Sequence, residues 1–133
     1  MQTMRYINLL DRASNVKTKQ CFTYNNTIFF AVPRELVSKA IGPSALNVKN
    51  VQENLGKRVK IIAAPNGLED SQKFVQDLVA PNKFKSLEIR DGNFVLTAGN
   101  NQNKAVLIGR NKRRFLELEG IMKDIFGMEL KIV

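Results

Sequence analysis

The chain has no histidine and one cysteine in 133 residues. Without histidine the commonest general base is missing, so Ser-His and Cys-His nucleophilic catalysis cannot be assembled from this chain. Cys21 has no partner for an internal disulfide, and the usual zinc ligand sets are out of reach, so neither a metal nor another cofactor is expected. Its ordinary use is as a small apolar residue in a strand. Paired carboxylates are not evident either, because Asp11, Glu35 and Glu53 are scattered among lysines and apolar residues. The chain therefore reads as a non-enzyme with no catalytic residues and no small-molecule substrate. No stretch approaches the roughly 18 apolar residues of a membrane span. The opening Met1, Gln2, Thr3, Met4, Arg5 lacks the pattern of a secretory signal, which predicts a soluble cytoplasmic protein without a membrane partner.

What is present is positive charge: 21 Lys and Arg against 12 Asp and Glu, a net charge of +9. An excess of this kind points to a phosphate-rich partner. It is unevenly spread. Residues 1–66 carry +7, residues 67–81 carry −2, and residues 82–133 carry +4. Two basic blocks flanking a short acidic segment suggest two binding units.

Apolar periodicity supports the division. In the first block, Met4, Ile7 and Leu10 recur at helical spacing, with Tyr6, Leu9 and Ala13 beside them. A strand over residues 16–24, with Val16, Thr18, Phe22 and Tyr24 on one side, meets the turn pair Asn25-Asn26 and the apolar run Thr27 to Val32. Pro33 opens a helix with Leu36, Val37, Ala40 and Ile41 inward. Gly42 breaks it, and a second helix from near Ala45 turns Val48, Val51 and Leu55 inward. Gly56 caps that helix, and a strand runs from Arg58 to Ala64.

The order then repeats. An acidic helix spans about Glu69 to Val79, and a strand from Phe84 to Arg90 turns at Asp91-Gly92 into the strand Phe94 to Thr97. Helices over about Gln102 to Ile108 and Arg113 to Phe126 are separated by Gly109, and the strand Met128 to Val133 closes the unit. An offset of 67 superposes Ile41-Gly42 on Ile108-Gly109, and Ile28-Phe29 on Val95-Leu96. Beyond the second helix the offset becomes 71. The extra four residues are close to one helical turn, so they lengthen a helix without rotating its apolar face. Two α+β domains, 1–66 and 67–133, each α-β-β-α-α-β with a three-stranded sheet, are predicted.

Each unit sets a glycine-led tetrapeptide between two helices: Gly42, Pro43, Ser44, Ala45, and Gly109, Arg110, Asn111, Lys112. A short loop feeding a helix N-terminus presents backbone N–H groups and partial positive charge to an anion. The second loop adds Arg110, Lys112, Arg113 and Arg114, crowded at a helix end that is already positive. Glu117 stands at helical spacing to offset part of this. In the first unit Lys39 and Lys49 flank an uncharged loop. Ile41, Val59 and Ile61 could line a groove for bases, with core packing as their default use.

The run Val32, Pro33, Arg34, Glu35, Leu36, Val37, Ser38, Lys39, Ala40, Ile41, Gly42, followed by Asn47-Val48, resembles the KH segments of NusA proteins. The stretch from Lys104 through Ile108-Gly109 to Gly127 and the last strand is similar. The two copies cover nearly the whole chain and resemble the short archaeal NusA-like factors. The resemblance implies tandem KH domains of type II, the prokaryotic-like kind, that bind single-stranded RNA through a Gly-X-X-Gly loop. It also implies a monomer acting on nascent transcripts in elongation, termination or antitermination, with RNA polymerase as a further partner. The second glycine of the motif is Ala45 in one copy and Lys112 in the other. A double-KH protein of ribosome assembly, or a protein-docking module with silent loops, are the competing expectations.

Overall fold

The computed structural model describes Gln2–Val133, with side chains from Met4 onward; Met1 and the side chains of Gln2 and Thr3, part of the stretch read for a targeting signal, lie outside the described residues. The chain divides into two compact units, one ending at Ala64 and the other starting at Pro65. Among the described residues, no helix is long and apolar enough to cross a membrane.

In the first unit, helix α1 (Gln2–Ser14) buries Leu10. It stops because Ser14 Oγ donates to the Leu10 carbonyl at 2.8 Å and accepts from the Val16 N–H at 3.2 Å, while Asn15 turns left-handed. Strand β1 (Gln20–Tyr24) pairs antiparallel with β2 (Thr27–Val32) through the turn at Asn25 and Asn26, both left-handed as a tight hairpin requires. Helices α2 (Val37–Ile41) and α3 (Leu46–Leu55) then cross over to β3 (Arg58–Ala63), which pairs parallel with β2. The sheet order is β1-β2-β3, and the central β2 is buried on both faces.

The strand expected from residue 16 begins instead at Gln20. Val16 joins the helix-side core with Leu10, Ile28, Phe30 and Val51. Phe22 and Tyr24 pack on Phe29 instead, with ring centroids 5.8 and 6.4 Å apart. The four residues read as one side thus belong to two, because the chain after Asn15 is a connection and not yet a pleated strand. Cys21 points to the helix side, half-buried against the core.

The second unit repeats the plan: α4 (Ser71–Val79), β4 (Ser86–Arg90), β5 (Asn93–Thr97), α5 (Asn101–Ile108), α6 (Arg113–Phe126) and β6 (Leu130–Ile132), with sheet order β4-β5-β6. Asn100 caps α5, its side chain accepting the Asn103 N–H at 2.7 Å. Phe126 packs edge-to-face between Phe74 and Phe94, at 6.0 and 5.4 Å. Phe74 and Phe94 are fully buried, and a phenylalanine so placed is worth about 3–5 kcal/mol against alanine.

One expected correspondence is corrected. Tyr24 pairs with Thr27 and Arg90 with Asn93, so the hairpins align at an offset of 66, not 67. Ile28 therefore corresponds to Phe94, and each pairs with the matching residue of its last strand, Val59 and Leu130. The offset of 67 holds at the helix junction, so the second unit carries one extra residue between β5 and Gly109.

Candidate nucleic-acid interface

At both junctions the leading glycine adopts a backbone that only glycine tolerates well: φ 80°, ψ 168° at Gly42 and φ 76°, ψ 172° at Gly109. A side chain is excluded sterically too. A Cβ on Gly42 would lie 2.7 Å from Asn47 Nδ2 and 3.1 Å from the Asn47 backbone nitrogen. One on Gly109 would lie 2.6 Å from Arg114 Cγ and 3.0 Å from the Arg114 nitrogen. Asn47 and Arg114 occupy the same place in the two copies. Asn47 also donates to the Lys39 carbonyl at 3.1 Å, tying the end of α2 to the start of α3.

After the glycine, two successive residues turn left-handed in each loop. Ser44 and Ala45 have φ of 52° and 59°, Asn111 and Lys112 of 56° and 61°. Ala45 and Lys112, which stand where the motif has its second glycine, thus keep the conformation that glycine would favour. The loops close by an N–H bond from Ala45 to the Gly42 carbonyl, 3.1 Å, and from Lys112 to that of Gly109, 3.2 Å. Neither bend is threaded into a continuous helix.

The main-chain donors differ between the copies. Gly42, Ala45 and Leu46 donate to Ser38, Gly42 and Pro43, and Pro43 has no N–H, so Ser44 alone keeps an amide outside the turn's own bonds. In the second loop Gly109, Lys112 and Arg113 donate to Ala105, Gly109 and Arg110, which leaves the amides of both Arg110 and Asn111 outside them.

The side chains of Arg110, Asn111, Lys112 and Arg113 are exposed together around this bend. Positive charge beside the positive end of α6 is unfavourable by about 0.3–1 kcal/mol per residue, which a bound anion would reverse. Arg114 stands apart from this cluster. It is only 17% exposed and pairs along the helix with Glu117. In the first unit Pro43 and Ser44 are exposed and Ala45 half-buried, with Lys39 and Lys49 exposed on the flanking helices and Leu46 where the second unit has Arg113.

Beside the second bend lies a cavity of about 210 Å³ lined by Ile108, Lys112, Phe115, Leu130, Lys131 and Ile132. Ile108, Leu130 and Ile132 are the counterparts of Ile41, Val59 and Ile61. In the first unit Val59 and Ile61 belong to the core and Ile41 packs on it, the default use expected of them. Phe115 and Lys131 were not singled out by sequence, because an aromatic at helical spacing and a lysine in a closing strand carry no signal of a groove.

The cavity borders β6, an outer strand of its sheet. The Glu129 carbonyl accepts from Phe94 and the Val133 N–H donates to Leu96, both at 2.9 Å. By the period-two alternation of a strand, the main-chain groups of Leu130 and Ile132 turn the other way, to the open edge. A flat apolar group entering here would meet Phe115 and Ile108 and find main-chain donors and acceptors at its rim. A larger cavity of about 450 Å³ near the β4–β5 turn, lined by residues of both charges including Arg90, Asp91 and Glu129, includes none of the residues of the Gly109 bend.

Among the described residues the architecture is α+β, with two three-stranded sheets and six α-helices, compatible with two KH-like domains. No protein-family model matches the chain. Over 84 residues it is 32% identical to a protein of Methanocaldococcus jannaschii named "Probable transcription termination protein NusA", a match covering 63% of the chain and 44% of that relative. A protein of the same name from Halococcus morrhuae is 26% identical over 88 residues, covering 66% of the chain and 61% of the relative. The match thus spans less than two thirds of either relative. The crystal structure of APE1850 aligns with 99% of the chain and 98% of its own, with a TM-score of 0.69 at 24% identity. At that identity the likeness speaks for the fold.

Proposed function

We propose that the chain is a non-enzymatic factor that binds single-stranded RNA through two type II KH domains and acts on nascent transcripts in elongation, termination or antitermination. The observation that carries the binding role is the second junction. There a glycine-only bend, two available amides and three exposed cations adjoin a groove with an apolar floor. Anionic backbone would lie on the bend and bases in the groove, the division of labour of single-strand recognition. The helix and strand order, with one antiparallel and one parallel pairing per sheet, supports the KH type. The names of the two relatives support the transcription role and, with it, RNA polymerase as a partner.

The first unit contributes less: its loop is uncharged and offers one amide, and its cations Lys39 and Lys49 sit on the flanking helices. The protein acts as a cytoplasmic monomer in this reading.

Titration of a labelled single-stranded RNA by fluorescence anisotropy tests it. With two phosphate contacts removed, the R110E/R113E variant should bind far more weakly, and its salt slope should flatten by about 1.4, at roughly 0.7 per phosphate. Affinity and slope unchanged from the parent protein would refute the assignment.

A further inference from the structure

We propose that Lys112 gives the second groove a preference for guanine, an inference that rests on the RNA-binding reading of that groove. Lys112 occupies a left-handed position at the mouth of the 210 Å³ cavity, where the other copy has Ala45 in the same backbone conformation. The other side chains that line the cavity walls, those of Ile108, Phe115, Leu130 and Ile132, are apolar. Lys131 also lines the cavity, but alternation along β6 directs its side chain towards the sheet face opposite to Leu130 and Ile132. Lys112 is therefore the side-chain donor best placed to meet a base in this cavity.

A lysine ammonium donates three hydrogen bonds and accepts none. The base that suits it presents acceptors without a neighbouring donor. Guanine does so best, with O6 and N7 side by side; adenine sets its N6 amino group beside N7, and cytosine shows the N4 amino group on the same edge. Uracil, with O4 alone, ranks second. The ring face stacks on Phe115, which is indifferent to base identity, so among the side chains discrimination falls to the lysine. The first unit, with Ala45 in this place, has no such donor.

The test uses the whole chain and uridine-rich hexanucleotides that differ at one central position, read by fluorescence titration. The parent protein should bind the guanine oligonucleotide about tenfold more tightly than the adenine one, the scale of one good lysine–guanine contact. Lys112→Ala should equalise the two and keep the fold, since alanine already occupies the equivalent position 45; Lys112→Arg should retain the preference. Equal affinity of the parent protein for all the oligonucleotides would overturn the inference while leaving RNA binding intact. A Lys112→Ala variant weakened alike on every oligonucleotide would make Lys112 a phosphate contact and also overturn it. No affinity of the parent protein for any of them would overturn the RNA-binding reading itself.

Discussion

Replacing Ala45 by glycine should stabilise the protein, and replacing Gly42, three residues earlier, by alanine should do the opposite. Ala45 is held at φ 59°, ψ 29°, which disfavours an L-residue by about 1–2 kcal/mol. Glycine removes that strain but loses about 0.5–1 kcal/mol more chain entropy on folding. The balance is a gain of about 0.5–1 kcal/mol, or about 2–4 °C in the thermal midpoint. At Gly42 both terms oppose alanine. The backbone sits in a region costing about 1–3 kcal/mol for other residues, and the new Cβ would displace Asn47, breaking its bond to Lys39 at about 1 kcal/mol. A loss of about 2–4 kcal/mol should lower the midpoint by about 10 °C. Scanning calorimetry of the two variants against the parent protein decides. An Ala45→Gly variant no more stable than the parent, or two shifts of the same sign, would mean that the bend does not have this backbone.

Two further outcomes follow from side chains away from the groove. Glu117→Gln removes the carboxylate charge that Arg114 pairs with along the helix and should cost about 1 kcal/mol in urea denaturation while RNA affinity holds; a binding loss like that of R110E/R113E would place Arg114 in the interface after all. Burial pushes the Cys21 thiol up from 9.0 to about 11, so the folded thiol stays protonated where the unfolded one has ionised. Its contribution is complete below pH 9 and is lost as pH rises towards 11. Iodoacetamide should therefore label Cys21 slowly at pH 8 and much faster above pH 10, and the decline in stability over that window should be smaller in Cys21→Ala; equal declines would refute the assignment.

The helix junctions were legible in the sequence because glycine, with no Cβ, marks a backbone requirement directly. The amphipathic helices were legible because a 3.6-residue period survives in Leu118, Met122 and their neighbours. The alignment of the two copies failed by one residue in the hairpin for an equally physical reason. The strand Thr27–Val32 is apolar from Ile28 onward and buried on both faces, so its pattern does not say which residues face the helices. Hydrogen-bond register decides that, and only the pairing of Tyr24 with Thr27 and of Arg90 with Asn93 revealed it. The left-handed Ser44, Ala45, Asn111 and Lys112 were hidden as well, because no residue type there announces the conformation. Arg114 read as one more cation of the loop, although one further step along a helix turns a side chain by about 100°, away from Arg113 and onto Glu117.

A strand edge left open for a ligand is equally open to another polypeptide strand, and sheets that grow in this way aggregate. β3 and β6 are outer strands, and β6 cannot be covered without closing the groove. Its defence is brevity and charge: three residues long, with exposed Glu129 and Lys131 beside the open groups, as Arg58 and Lys60 stand along β3. Such charged side chains would have to be desolvated for another strand to pair there, and the net charge of +9 opposes close approach of two copies of the chain.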